Sequence, residues 1–154
     1  MVDIPGAAHC LVSAGVADTS RMAIGGWRQV AILTDHTTAS DTRCTAAASG
    51  AGSAKQPSTY GSDQQVVEHH NGLGAPRKSP ARWQRLIYPF HAADRLGTPT
   101  LHMIGERDVD VPTSGSEQVC GALESPGAET RRVVYPSRFH GLTVRSCLAD
   151  RFPR

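Results

Sequence analysis

Two short segments carry an acid and an imidazole in positions suited to proton transfer: GERDVDVP, with Asp108, and YPSRFHGLT, with His140. Each follows an apolar run of the kind that forms a buried strand, so both side chains are expected on loops at strand ends. An aspartate that orients a histidine, and a histidine that deprotonates a hydroxyl, are two parts of an apparatus for acyl transfer. The third part belongs at a sharp strand-to-helix turn, and IGGWRQVAILTD, Ile24 to Asp35, reads as one. Gly26 and Trp27 suit that turn, but Arg28 stands where a G-x-S-x-G elbow places its serine. A guanidinium is a fixed cation with donors only. It gives His140 no oxygen to activate, and its charge beside the ring disfavours imidazolium.

Other residues of chemical interest have plainer readings. Asp108 taken alone is a turn aspartate; its setting in GERDVDVP favours the acid of a triad. Glu106 and Asp110 nearby lack the spacing and the later bidentate Glu of a calcium loop. His69 and His70 are adjacent and point apart, with no carboxylate or Cys at a ligand spacing, so no metal site is expected. Gly50 with Gly52, and Gly72 with Gly74, lack a complete phosphate-binding pattern and read as loop glycines. Trp27, Trp83, Tyr88 and Phe90 are too few for a base-stacking platform and are expected to pack or to line a cleft near the elbow. Ser114 and Ser40 are weak candidates for a substitute nucleophile.

Composition narrows the class. The chain has 154 residues, 39% of them hydrophobic, enough for one domain or part of one. The formal net charge of +2 gives no reason to expect nucleic acid or an anionic membrane as partner. Cys10, Cys44, Cys120 and Cys147 never form a CxxC pair, so free buried thiols are expected, with no cofactor. No apolar run approaches the roughly 18 residues that span a bilayer, and Met1 to Ala14 lacks the features of a secretory signal. A cytoplasmic location is the expectation.

The elements that must position these side chains follow from periodicity and punctuation. Ala7 to Ala14 suits the end of a helix closed by Gly15, and Asp18 to Arg21 lead into a strand at Met22 to Ile24. Ala31 to Ala39 suits a helix, and Thr45 to Ser49 a second strand. Ser53 to Pro80 is rich in Gly, Ser, Gln and Asn, which reads as loops with one short helix near Asp63 to His70. Thr100 to Ile104 and Thr130 to Tyr135 are strands, Thr113 to Leu123 is a helix opening at a Ser/Thr cap, and Val144 to Phe152 is a closing helix. The alternation predicts an α/β fold with a mostly parallel sheet of about four strands and flanking helices, and the elbow, acid and histidine in that order resemble an incomplete α/β-hydrolase. Its ligand-facing loops lie at the carboxyl ends of the strands.

At DRLGTPTLHMIGERDVDVPTSGSEQ, VVYPSRFHGLT and the elbow flanks IGGW and ILTD, the sequence resembles the prolyl oligopeptidase family of serine peptidases, in particular its dipeptidyl and acylaminoacyl peptidase branch. The likeness runs from about Asp3 to the C-terminus. It implies a partial catalytic domain over residues 1–154 without the family's β-propeller, acting by family on short peptides or acyl-peptides. It also implies that Asp108 is the triad acid, that His140 is the base, that Arg28 holds the nucleophile position, and that the Gln29 N–H is one oxyanion donor. The family pattern continues with two glycines where this chain has Val30 and Ala31, and a β-branched Val30 is expected to alter the turn.

Three further readings stand beside an inactive peptidase domain. A non-catalytic interaction module would pair through the exposed edge of the elbow strand, possible self-association included. A gene fragment would have no independent role. An active peptidase would result if the block Arg28 to Ala31 is a sequence error: CGT CAG GTG GCN encodes it, and one restored T before it gives codons for Ser, Ser, Gly, Gly.

Overall fold

The computed structural model describes residues 3–53 and 56–151. The four apolar runs form strands β1 (Ala23–Trp27), β2 (Ala46–Gly50), β3 (Thr100–Gly105) and β4 (Thr130–Tyr135), side by side in that order and all parallel. Parallel neighbours need crossovers. α1 (Asp3–Ser13) precedes β1, and α2 (Gln29–Ser40) carries β1 to β2. The long passage to β3 holds α3 (Gln56–Thr59), α4 (Val66–Leu73), α5 (Pro80–Arg85) and α6 (Tyr88–His91). α7 (Thr113–Glu124) joins β3 to β4, and α8 (Arg145–Arg151) follows.

The parallel α/β architecture read from periodicity is therefore present, with ends shifted by a few residues. Three details differ. α7 opens at Pro112 with no side-chain cap, because the first Ser and Thr lie already inside the helix. α3 lies in the Ser53–Pro80 stretch expected to be mostly irregular, and α5 and α6 follow it where no element was assigned, although Pro80 and Pro89 in their first turns are a helix-start signal. All four cysteines are unpaired, but only Cys120 and Cys147 are buried; Cys10 is exposed and Cys44 is half-buried. Phe152, expected in the last helix, lies outside the described residues.

Alternate residues of each strand face opposite sides of the sheet. On one side, Met103, Tyr135 and Leu142 pack with Cys147 of α8. Elsewhere Ala39 of α2 and Val119 and Leu123 of α7 close over Ala92, Ala93 and Leu96. The seam between α2 and the sheet is polar: Asp35, Ser49 and Ser53 are buried, and Asp35 Oδ2, Ser49 Oγ and Ser53 Oγ lack hydrogen-bond partners. Burial raises the Asp35 carboxyl to about 7, against a smaller opposing influence of the Ser49 hydroxyl. The two groups face the same glycine, Gly52, without a hydrogen bond of ordinary geometry. His102, the register partner of Ser49, is buried too, and burial lowers its imidazole to about 4.

Candidate active site

β1 ends in the elbow. Arg28 adopts φ 57° and ψ −121°, a positive φ that costs a non-glycine residue on the order of 1–3 kcal/mol. Its N–H donates to Gly50 O at 2.8 Å, tying the turn to β2. α2 starts at the next residue and folds back over β1: a Cβ on Gly26 would lie 2.4 Å from Val30 Cγ1. The missing side chain of Gly26 is what lets Val30 sit there. The backbone turns sharply at Arg28 with Val30 in place, and the valine is about half exposed at 52%.

The acid and the imidazole meet. Asp108, on the loop after β3, has a side chain with no exposed surface. Its Oδ1 accepts the N–H groups of Asp110 at 3.0 Å and Val111 at 2.8 Å, and its Oδ2 accepts from His140 Nδ1 at 2.8 Å. Three donors on one buried carboxylate fix its position and leave His140 with Nε2 as the free ring nitrogen. That Nε2 is buried and has no hydrogen-bond partner.

Trp27 connects the elbow to the histidine loop. Its Nε1 donates to His140 O at 3.1 Å, and its ring meets the imidazole edge-on at 6.2 Å between centroids. The same ring lies against Gly50, where a Cβ would fall 2.0 Å from Trp27 Cε3, and it receives the Arg151 guanidinium of α8 at 4.7 Å from its centroid. Gly105, at the end of β3, lets the histidine loop approach: a Cβ there would lie 2.5 Å from the carbonyl oxygens of both Arg138 and Phe139. Both contacts are backbone atoms, so Gly105→Ala is expected to displace the loop and destabilise the fold by about 2 kcal/mol. Urea unfolding checks the loss, and the imidazole ¹H shifts of His140 check the displacement.

A cleft of about 580 Å³ opens beside the elbow. Arg28, Gln29, Ile32 and Leu33 form one wall; Asp63, Glu68, His69, Leu73 and Leu86 belong to the α3–α5 segment opposite, and Asp110 and Val111 complete it. Asp108 and His140 are thus in direct contact. Arg28 and Gln29 approach them through neighbours, Trp27 on the histidine side and Asp110–Val111 on the acid side. Ser40 lies at the far end of α2, and Ser114 is in the first turn of α7.

Tyr60 and the contact between Asp63 and His69 were not singled out in the sequence, whereas Trp83 was expected to pack. Tyr60 stands against His69, His70 and Trp83, with ring centroids 5.1–6.3 Å apart. Trp83 is buried and donates from Nε1 to Gly74 O. The His69–His70 pair, set aside as a metal site, has another arrangement: His69 lies buried with Nδ1 3.8 Å from Asp63 Oδ2, and the Nε2 of His70 meets the Tyr60 hydroxyl. The six-residue spacing of Asp63 and His69 was the available signal. Among the described residues no helix is long and apolar enough to cross a membrane.

Comparison with known proteins agrees with this geometry. Acylamino-acid-releasing enzyme 1 of Oryza sativa subsp. japonica is 37% identical over 54 residues, which are 35% of this chain and 7% of that protein. Among solved structures, a puromycin-hydrolyzing peptidase of Mycobacterium tuberculosis superposes with a TM-score of 0.83 at 27% identity, covering 96% of this chain and 23% of its own. Acylaminoacyl peptidase of Pyrococcus horikoshii gives a TM-score of 0.80 at 18% identity, covering 91% and 23%. The chain therefore spans about a quarter of the length of these solved relatives. The sequence profile of the Prolyl oligopeptidase family matches residues 1–150, and with an elbow after β1, an acid after β3 and an imidazole after β4, the chain belongs to that family.

Proposed function

We propose that this chain is a serine-peptidase catalytic domain, or part of one, that retains the acid–histidine half of its apparatus and has lost peptide-bond hydrolysis at the elbow. The observation carrying this reading is Arg28 at the strained apex of the elbow, in a chain that keeps a histidine oriented by a buried aspartate. Hydrolysis by this route needs an oxygen that attacks the acyl carbon and passes its proton to His140 Nε2. A guanidinium has no such oxygen. Asp108 would orient the ring, and the Gln29 N–H would face an oxyanion. The substrates in view are short peptides or acyl-peptides, as the names of the relatives suggest, and no step calls for a cofactor.

Incubation of the purified chain with a fluorophosphonate probe is expected to give no labelled serine by peptide mass spectrometry. A serine whose labelling disappears in His140→Ala would overturn the reading and identify a substitute nucleophile.

One observation favours an additional role in association. β1 is a sheet edge among the described residues, with Ala23 and Gly25 exposed and neither Lys nor Pro between Ala23 and Trp27 to guard it. Unpaired backbone on such an edge is a template for another strand. Sedimentation at rising concentration is expected to show self-association that Gly25→Pro weakens; a monomer throughout the range would remove this role.

A further inference from the structure

We propose that the cleft beside the elbow binds the free C-terminal end of a peptide whose last residue is Lys or Arg. The inference deepens the function proposed above, since it rests on reading Arg28 as the occupant of the nucleophile position.

The cleft walls divide by chemistry. Ile32, Leu33, Leu73, Leu86 and Val111 contribute an apolar lining suited to the methylene stem of a long side chain. Three carboxylates border the same space, Asp63, Glu68 and Asp110, and none is paired with a Lys or Arg among the described residues. Asp63 is the most enclosed, its side chain only 4% exposed. The nearest cationic candidate is His69, 9% exposed, with a buried Nδ1 that has no hydrogen-bond partner. Asp63 Oδ1 accepts the Gln65 N–H at 3.0 Å and its Oδ2 lies 3.8 Å from His69 Nδ1, while Glu68 and Asp110 make no ion pair among the described residues; an apolar lining with carboxylates beside it suits a side chain with a long stem and a cationic head. The volume of about 580 Å³ is within the range of roughly 300–1,000 Å³ usual for small-ligand sites.

Arg28 supplies the opposite requirement. It makes no ion pair among the described residues, despite sharing the cleft with three carboxylates. It also precedes a twelve-residue helix that has no side-chain cap. The first N–H groups of such a helix lack intrahelical partners and favour an anion, as does the guanidinium. One cleft therefore brings together a carboxylate-binding group, Arg28, cation-binding carboxylates, Asp63 and Glu68, and an apolar lining. A C-terminal Lys or Arg carries all three complements in one residue. The residue replacing the nucleophile would thus hold the kind of carboxylate that peptide hydrolysis produces.

The test is calorimetric titration of the full chain with N-acetyl-Ala-Ala-Arg, its C-terminal amide, N-acetyl-Ala-Ala-Leu and N-acetyl-Ala-Ala-Asp. Saturable binding of the Arg peptide is expected, weakened at least about tenfold by amidation and by either side-chain replacement. Arg28→Ala should bring the acid and the amide to equal affinity. Asp63→Asn, and independently Glu68→Gln at an exposed position that folding does not require, should narrow the preference for Arg over Leu. Absence of saturable binding, equal affinity for acid and amide, or equal affinity for Arg and Leu peptides overturns the proposal. Mass spectrometry of the same mixtures reads cleavage separately, so a failure of binding and a failure of the proposed inactivity give different results.

Discussion

Arg28→Ser is expected to create a serine that reacts with fluorophosphonates and to raise p-nitrophenyl acetate hydrolysis at least about 10²-fold over Arg28→Ala. The magnitude is the lower end of what a positioned general base contributes. The expectation rests on how much is already in place. Asp108 holds His140 at 2.8 Å, Asp108 is itself held by two backbone N–H groups, and His140 Nε2 is buried without a partner. The elbow already adopts a positive φ at its apex, so the exchange requires no new backbone conformation. A second change, His140→Ala in the Arg28→Ser background, should return hydrolysis to that of Arg28→Ala. Reactivity of Arg28→Ser no higher than that of Arg28→Ala would mean that the apex side chain does not reach His140. A displaced turn, rather than a replaced residue, would then account for any inactivity.

Asp35→Asn is expected to stabilise the fold above neutral pH and to flatten its dependence on pH. Asp35 is a carboxyl whose folded value, about 7, lies above its unfolded value of 3.8. Between those values the folded chain binds more protons than the unfolded chain, so stability falls as pH rises. The favourable state is fully present below about pH 4 and lost once pH passes about 7. The whole difference is roughly 4 kcal/mol, of the order of a domain's total stability. Asparagine keeps the shape and cannot ionise. Urea midpoints for the two proteins should therefore diverge from pH 4 to pH 8, with the asparagine form more stable at the alkaline end. The ion pairs of Asp18 and Asp41 are common to both proteins and cancel in the comparison. Parallel profiles would show that Asp35 finds a donor in the folded chain that keeps it ionised at little cost, Ser49 being the nearest candidate.

Much of the fold was legible in the sequence because its signals are local. Short apolar runs bounded by Gly and polar residues specify strands at 46–50, 100–105 and 130–135, and the helix between the last two follows from its periodicity. The order of elbow, acid and histidine is a property of the chain itself. So is the absence of a hydroxyl at Arg28, a matter of residue type that no packing can change. The helices between Gln56 and His91 were harder to read: polar composition as far as Pro80 hid α3, and the starts marked by Pro80 and Pro89 were not assigned. The packing of Val30 was not legible either: its approach to Gly26 is visible only when the helix folds back over the strand.

Tertiary structure decided what depends on distance through space. Asp108 and His140 are 32 residues apart, and only the register of β3 against β4 brings their loops into hydrogen-bond contact. The environment of Asp35 was equally hidden, since a carboxylate inside a helical pattern reads as a solvated face until the sheet covers it. The same holds for the cleft, whose carboxylates come from α4, its approach and the loop after β3, while its cation comes from the elbow. Residue identity and local period set what each segment could become and which reaction Arg28 forbids. Burial and proximity, which arise only when separate strands and helices close on one another, set which groups meet and what their charges cost.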